Sequence, residues 1–172
     1  TKQSLVFVLN RDTGEPIFDV EERPVPTNGV PGEQLSPTQP FPVKPPPLMQ
    51  THISPDDAWG VTFVDRNACK QEIENSSYGE IFTPPSEKGW LMYPSTGGGP
   101  NWGGGAWDPV NNLRITNISQ VAMWLQLLPN EAAPKALVGD YSAGAPMGPA
   151  AKINGTDYAI RQKVMLSPQF MP

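Results

Sequence analysis

The sequence predicts a mainly β fold in which long stretches of ordered coil connect short strands. Proline accounts for 22 of the 172 residues, and so high a share favours extended and turn structure over long helices. The apolar runs are short and are bounded by glycine, asparagine or proline, as strands usually are. Residues 93–109 hold six glycines and two tryptophans, a composition that lets backbone approach something flat or crowded.

Composition and charge exclude several classes of function. Charged residues make up 17% of the chain and the net charge is -5, so the basic surface expected of a nucleic-acid or anionic-membrane binder is missing. Cys69 and His52 are the only residues of their types, which excludes an internal disulfide and a multi-histidine metal site within this chain. We expect Cys69 to be a buried structural thiol. No apolar run is long enough to span a membrane.

The N-terminal residues predict a β-hairpin. Residues 4–9 form an apolar, β-rich run, residues 10–14 carry turn chemistry, and residues 15–20 begin a second strand. Lys2 stands just before the first predicted strand, where its side chain would project from a sheet end. Taken alone, it is more simply interpreted as a solvated lysine. The abrupt start at Thr1 suggests a piece of a longer chain.

A proline-rich segment and a short helix are expected next. Residues 21–50 contain nine prolines, which predicts polyproline-like and turn structure packed on a larger body, or alternatively a segment recognised by a proline-binding domain. Ser54, with Pro55 and two acids behind it, predicts a helix start, and helical composition continues over 65–75. Cys69 and Ile73 share one face of that helix. The neighbouring acids are interpreted as caps or solvated side chains: Asp56, Asp57, Glu72 and Glu74.

The second half predicts short strands separated by turns. A bend is expected at 81–86, followed by strands at 89–93, 113–117 and 118–128, with a turn at Asp108 and Pro109. The last forty residues are predicted to be loop, with weak strand candidates at 158–160 and 163–166. The glycines at 97–105 lack the Gly-Lys-Ser/Thr sequence of a phosphate loop, so a nucleotide site is not expected.

Five separated motifs give the chain a resemblance to a known family. They are Phe7-Val-Leu-Asn-Arg-Asp-Thr-Gly-Glu-Pro-Ile-Phe18, Val20-Glu-Glu-Arg-Pro-Val-Pro26, Ser36-Pro-Thr-Gln-Pro-Phe41, Ile81-Phe-Thr-Pro-Pro-Ser86, and Asn101-Trp-Gly-Gly104 with Asp108-Pro109. In this order they resemble the PQQ-dependent membrane-bound glucose and quinate dehydrogenase group. The resemblance extends over nearly the whole chain.

The resemblance implies part of an eight-bladed β-propeller built from four-stranded blades. This chain would supply about two blades and a proline-rich insert with a short helix. Residues 1–20 would form a hairpin of one blade, 21–88 the insert, 89–128 strands of the next blade, and 129–172 a loop-rich segment. The remainder of the propeller is then the first expected partner, because an isolated piece leaves sheet edges open.

The same resemblance implies a cofactor site. Lys2 matches the family's basic residue that hydrogen-bonds the adjacent carbonyl oxygens of pyrroloquinoline quinone (PQQ), and Asn117 matches its asparagine partner. Asn101 and Trp102 fall where the family's chain approaches the cofactor, although tryptophans also pack between blades. No catalytic residue is expected in this chain, because the family's aspartate base and its Ca²⁺ or Mg²⁺ ligands match nothing here and are expected in other segments.

The implied function is a periplasmic dehydrogenase that oxidises a sugar or cyclic polyol, such as glucose or quinate, and passes electrons to ubiquinone. The parent protein is either membrane-anchored or soluble. One alternative is a non-catalytic structural or interaction module derived from such a propeller. Another is an independent carbohydrate-binding β domain that uses Trp90, Trp102 and Trp107 as stacking platforms.

Overall fold

The computed structural model describes residues 1–131 and 150–165. Eight β-strands, one α-helix and one 3-10 turn occur in that part of the chain, which confirms the predicted mainly β class. In chain order they are β1 (Val20–Pro24), β2 (Thr38–Pro42), the 3-10 turn (Pro55–Asp57), α1 (Phe63–Glu74), β3 (Trp90–Met92), β4 (Ala106–Asp108), β5 (Leu113–Ile115), β6 (Met123–Pro129), β7 (Ala151–Lys152) and β8 (Tyr158–Val164).

The largest sheet has four strands in the order β3-β6-β8-β7, all antiparallel. Four antiparallel strands are the size of one propeller blade. Both faces of this sheet carry buried side chains, because directly opposite residues of paired strands share a face. Leu91 and Ala159 are buried on one face, and Trp90, Leu125 and Leu127 are buried on the other.

Helix α1 packs against this sheet through Ile73. Ile73, Ala58 and Leu91 form one buried cluster, with Cys69 partly buried against it. Burial raises the pKa of the Cys69 thiol, and the nearby charge of Glu72 adds to the effect. The predicted shared face of Cys69 and Ile73 is therefore confirmed.

The helix begins later than the sequence predicts. The turn Pro55–Asp57 is a separate 3-10 element, and Asp57 reaches back to accept a hydrogen bond from the Ser54 backbone at 2.8 Å. The α-helix starts only after Thr62, whose hydroxyl accepts from the Asp65 backbone N–H at 3.2 Å. Gly60 lies between them, and a Cβ there would come within 2.7 Å of the Asp65 Cβ. The sequence predicted that one helix would start at Ser54. Two successive capping boxes, at Ser54 and at Thr62, instead start two separate elements.

The proline-rich segment contains a β-hairpin that the sequence did not predict. β1 and β2 pair antiparallel, with Glu22 opposite Pro40 and Val20 opposite Pro42. A two-stranded ribbon has two free edges, so a proline lacking its N–H costs no hydrogen bond when that position faces outward. Phe41 anchors the ribbon, because its ring meets Phe82 edge-on at 5.5 Å between centroids.

The N-terminal segment was predicted to form a hairpin of two regular strands, and those strands are not formed. Residues 4–9 form no strand, but the two arms do pair antiparallel through the Leu9–Pro16 bridge, with the Ile17 N–H donating to the Val8 carbonyl at 2.8 Å. The turn between them is closed by the Asn10 N–H on the Glu15 carbonyl and the Gly14 N–H on the Asn10 carbonyl. Ser4 has a φ of 70°, which is incompatible with extended backbone. Leu5 and Val6 are consecutive yet both buried, so this segment inserts into the body rather than alternating between two faces.

The C-terminal half agrees better with the sequence. β3 and β5 lie inside the predicted strands, and the turn after Asp108 is confirmed by two backbone N–H groups donating to its carboxylate at 2.9 and 3.2 Å. β6 starts later than predicted, because the Ser119 N–H donates to the Gly99 carbonyl instead of a strand partner. The candidates 158–160 and 163–166 are largely one strand, β8. Residues 132–149 and 166–172, part of the segment predicted to be loop, lie outside the described residues.

Candidate functional site

The glycine-rich loop holds the N-terminal segment and the chain after β5 together. The Gly99 N–H donates to the Lys2 carbonyl at 2.9 Å, and the Gly99 carbonyl accepts from the Ser119 N–H at 3.0 Å. Residue 99 is therefore a backbone bridge between Lys2 and a segment that begins two residues beyond Asn117. Two positions far apart in the sequence become neighbours through main-chain hydrogen bonds alone.

Close approach at this bridge requires glycine, as the composition predicted. Gly98 has a φ of 79°, and a Cβ there would lie 2.8 Å from the Lys2 Cβ. At Gly99 a Cβ would collide with the Ser4 hydroxyl and the Met49 sulfur, both buried. Gly103 is different, because the nearest atom to a Cβ there is the Asn117 side-chain oxygen at 3.8 Å. The crowded positions at the bridge are thus Gly98 and Gly99, and Gly105 is a further crowded position, where a Cβ would lie 2.8 Å from the Ile115 carbonyl oxygen.

Lys2 is fixed by two contacts. Its stem lies against Gly98, and its ammonium donates to the Thr96 carbonyl at 3.0 Å. No strand follows it, so the expected position at a sheet end is replaced by a position at the rim of the glycine loop. The ammonium remains exposed, and a lysine nitrogen with one acceptor still has two N–H groups to donate.

Asn101 and Trp102 form the tip of the loop. The Asn101 side-chain oxygen accepts a hydrogen bond from the Trp102 backbone N–H at 2.8 Å. The Asn101 backbone carbonyl accepts one from the Gly104 N–H at 3.0 Å. This tight turn pushes the Trp102 indole outward, where 94% of it is exposed. A hydroxyl bond from Thr116 to the Gly104 carbonyl at 2.8 Å ties the turn to the end of β5.

Three of the four predicted cofactor-binding residues line one cavity of about 390 Å³: Lys2, Asn101 and Trp102. Asn117 does not line it but lies beside the loop, next to Gly103. The apolar part of the wall is contributed by Leu5, Val6, Phe7, Leu48 and Pro100, and Thr1 and Gly104 also line the cavity. We call this space the loop cavity.

Arg114 also lines the loop cavity, and the sequence did not identify it. Among the described residues that form the lining, two side chains are cationic, Lys2 and Arg114, and none is acidic. The only available signal was a single arginine inside a predicted strand three residues before Asn117. The cavity therefore combines positive charge, one amide and one exposed indole, which suits an anionic ligand with a flat face.

A second and larger cavity, of about 600 Å³, lies between the 3-10 turn, α1 and β3. Its polar wall carries His52, Asp57 and Tyr93. The side-chain hydrogen bonds from Gln50 and Ser54 lower the pKa of Asp57, so this carboxylate is ionised and already bonded. Burial, and secondly the charge of Asp57, raises the pKa of Tyr93. The paired acids at 56 and 57 thus serve local structure, as expected.

Metal-binding groups and membrane-spanning helices are both absent from the described residues, 1–131 and 150–165. This part of the chain holds no group of three or more histidine, cysteine, aspartate or glutamate side chains arranged to bind a metal ion. Within the same ranges, no helix combines the length and the apolar character needed to cross a bilayer.

Comparison with known proteins points to one family. The family model for glucose/ethanol/alcohol dehydrogenase, β-propeller domain (PQQ), matches residues 1–172. A probable quinate dehydrogenase (quinone) from Xanthomonas campestris pv. juglandis is 33% identical over 173 residues, which cover 100% of this chain and 22% of that protein. No solved structure matches the chain.

Two further relatives extend the range of named substrates. A glycerol dehydrogenase large subunit from Gluconobacter thailandicus is 41% identical over 135 residues, covering 77% of this chain and 18% of the relative. A quinoprotein glucose dehydrogenase from Escherichia coli (strain K12) is 35% identical over 134 residues, covering 74% of this chain and 16% of the relative. The chain spans about a fifth of the length of these relatives. It belongs to the PQQ-dependent glucose/ethanol/alcohol dehydrogenase family, as part of the β-propeller domain.

Proposed function

We propose that this chain is part of a PQQ-dependent dehydrogenase that oxidises an alcohol group of a sugar or polyol and passes the electrons to ubiquinone. The relatives are named for quinate, glycerol and glucose, which all carry CH–OH groups. Membership of the family supports the reaction class, and the name of the Xanthomonas relative, a probable quinate dehydrogenase (quinone), supports a quinone acceptor.

One observation supports the cofactor site most strongly. Lys2 is about a hundred residues away in sequence from Asn101 and Trp102, yet all three line the same cavity, with Asn117 beside it. PQQ is a flat ortho-quinone with three carboxylates, so it needs cations, amide donors and a flat apolar surface. The loop cavity offers each of these, and the residues present therefore fit the cofactor.

PQQ, when bound, supplies the two-electron acceptor for the alcohol. Lys2 would hold the adjacent quinone oxygens with the N–H groups that Thr96 leaves free. A fixed cation at that point favours negative charge on those oxygens, which is the usual way in which such donors lower a barrier. The Trp102 indole would cover one face of the ring, and Asn101 and Asn117 would orient it through their amides.

The remaining groups of the active site are proposed to come from the rest of the propeller. These are the aspartate base and the ligands of a Ca²⁺ or Mg²⁺ ion. Since the chain spans about a fifth of its relatives, most of their residues lie in other segments. We also propose a periplasmic location, on the basis of the family resemblance alone.

The test uses the full-length protein, prepared without cofactor and titrated with PQQ in the presence of Ca²⁺. Binding is followed by tryptophan fluorescence, and turnover by dye reduction with quinate, glycerol and glucose. We expect Lys2→Ala to lower kcat about a hundredfold, as loss of one charge-stabilising donor does, with little change in thermal midpoint. Lys44→Ala, an exposed lysine outside the loop cavity, is the matched control.

Two outcomes would contradict the proposal. If the wild-type protein neither binds PQQ nor reduces the dye, the chain is a structural module of propeller origin. If Lys2→Ala turns over as fast as Lys44→Ala, Lys2 does not act on the cofactor.

A further inference from the structure

We propose that Arg114 binds a carboxylate group in the loop cavity. This inference rests on the proposed function and deepens it, because it gives a chemical role to a residue for which the family resemblance implied none. The carboxylate belongs either to PQQ or to an acidic substrate such as quinate, and the experiment below separates these two sources.

The position of Arg114 in β5 turns its side chain toward the cavity. It lies directly opposite Trp107 in the β4–β5 hairpin, whereas Leu113 and Ile115 pair with Asp108 and Ala106. Because side chains alternate along a strand, the guanidinium and the Trp107 indole share one face of the hairpin. Arg114 lines the loop cavity on that face together with Lys2 and Trp102.

The charge of Arg114 is not neutralised by the part of the chain that the structure describes. The ion pairs found there involve Arg11, Arg23, Lys70 and Lys163. Asp108 is the acid of the same hairpin, but it alternates onto the other face and accepts hydrogen bonds from Asn111 and from the Val110 backbone. Two cations without a lining acid make the cavity attractive to anions.

The geometry of a guanidinium makes a carboxylate the best-fitting anion. Its planar fork donates two parallel N–H groups to the two oxygens of a carboxylate. Lys2 already donates to the Thr96 carbonyl, and by resemblance it acts on quinone oxygens, so Arg114 is the cation left for a carboxylate. The exposed Trp102 indole favours a ligand whose carboxylate is attached to a ring.

The experiment measures cofactor affinity and substrate preference in the same full-length protein. Arg114→Met keeps the length of the side chain but removes its charge, and Arg114→Lys keeps the charge but removes the fork. Arg11→Met is the control, since Arg11 lies in an exposed turn and does not line the cavity. The PQQ dissociation constant is obtained by fluorescence titration, and kcat/KM is compared for quinate and for the neutral substrates glycerol and glucose.

Loss of a charged hydrogen-bonded pair should lower either the PQQ affinity or the kcat/KM for quinate about tenfold or more in Arg114→Met. A weaker PQQ affinity with an unchanged ratio of quinate to neutral kcat/KM identifies the cofactor as the source of the carboxylate. An unchanged PQQ affinity with a roughly tenfold lower ratio identifies the substrate. For whichever of these two quantities changes, we expect the value of Arg114→Lys to lie between those of wild type and Arg114→Met.

The inference is overturned if both Arg114 variants match Arg11→Met in PQQ affinity and in substrate ratio while retaining the wild-type thermal midpoint. Failure of the proposed function looks different, because the wild-type protein itself would then bind no PQQ and oxidise none of the three substrates.

Discussion

The four-stranded sheet with its helix and the glycine loop with the β4–β5 hairpin are held together in different ways. In the sheet region, Leu91 and Ala159 are 1% and 0% exposed, so burial of apolar surface stabilises it. In the loop region, Trp102 is 94% and Val110 is 87% exposed, and the described contacts are mainly backbone hydrogen bonds made possible by glycine. The sheet region is thus stabilised by apolar burial, whereas the loop region leaves large apolar side chains exposed.

The largest effect expected on stability tests this difference directly. Leu91→Ala should lower the free energy of unfolding of the full-length protein by about 3 kcal/mol, because it leaves a cavity under the helix. Val110→Ala removes an apolar side chain that packs on little and should cost less than about 0.5 kcal/mol. Chemical denaturation measures both, and equal losses would contradict the contrast between the two regions.

The next effect concerns the crowded bridge in the loop region. Gly98→Ala adds a Cβ against Lys2 at a positive φ, and we expect it to cost about 2 kcal/mol and to weaken PQQ binding by moving Lys2. Gly104 has a φ of 66° with no atom near a Cβ, so Gly104→Ala isolates the backbone strain of about 1 kcal/mol. If the two variants have the same stability and PQQ affinity, the close approach of Lys2 is unimportant.

A smaller effect sharpens the account of the sheet region. Thr62→Ala removes the hydroxyl that caps α1 and should destabilise the protein by about 1 kcal/mol. Thr62→Ser retains that acceptor and should restore most of the loss. A destabilisation by Thr62→Ser as large as by Thr62→Ala would mean that the methyl group, and not the cap, matters.

The smallest effect is a dependence on pH at the turn before α1. The pKa of Asp57 is lowered, chiefly by hydrogen bonds from Gln50 and Ser54. A lowered carboxyl pKa adds stability that is present above its unfolded value, near pH 4, and is lost as the pH falls through the folded value. Asp57→Asn should therefore flatten the acid side of the stability profile, measured by denaturation between about pH 2 and 6, and an unchanged acid side would contradict this role of Asp57.

Local patterns were sufficient where the chain obeys local rules. The strand around Leu91, the turn after Asp108 and the common face of Cys69 and Ile73 follow from alternation, turn chemistry and helical spacing. The early helix start was wrong because two caps compete, one at Ser54 and one at Thr62. The β1–β2 hairpin was missed because proline content predicts coil unless the sheet edges are known.

The sequence by itself determined the family, the mainly β class and the types of side chain available to hold a cofactor. It could not determine which of these side chains meet, because residues 2, 99 and 119 are joined by hydrogen bonds between backbone groups, which every residue except proline offers alike. Arg114 had only a weak signal, a single arginine inside a predicted strand. Its proposed role depends on the strand register opposite Trp107 and on the absence of an acid from the described cavity wall, and both are properties of the folded chain alone.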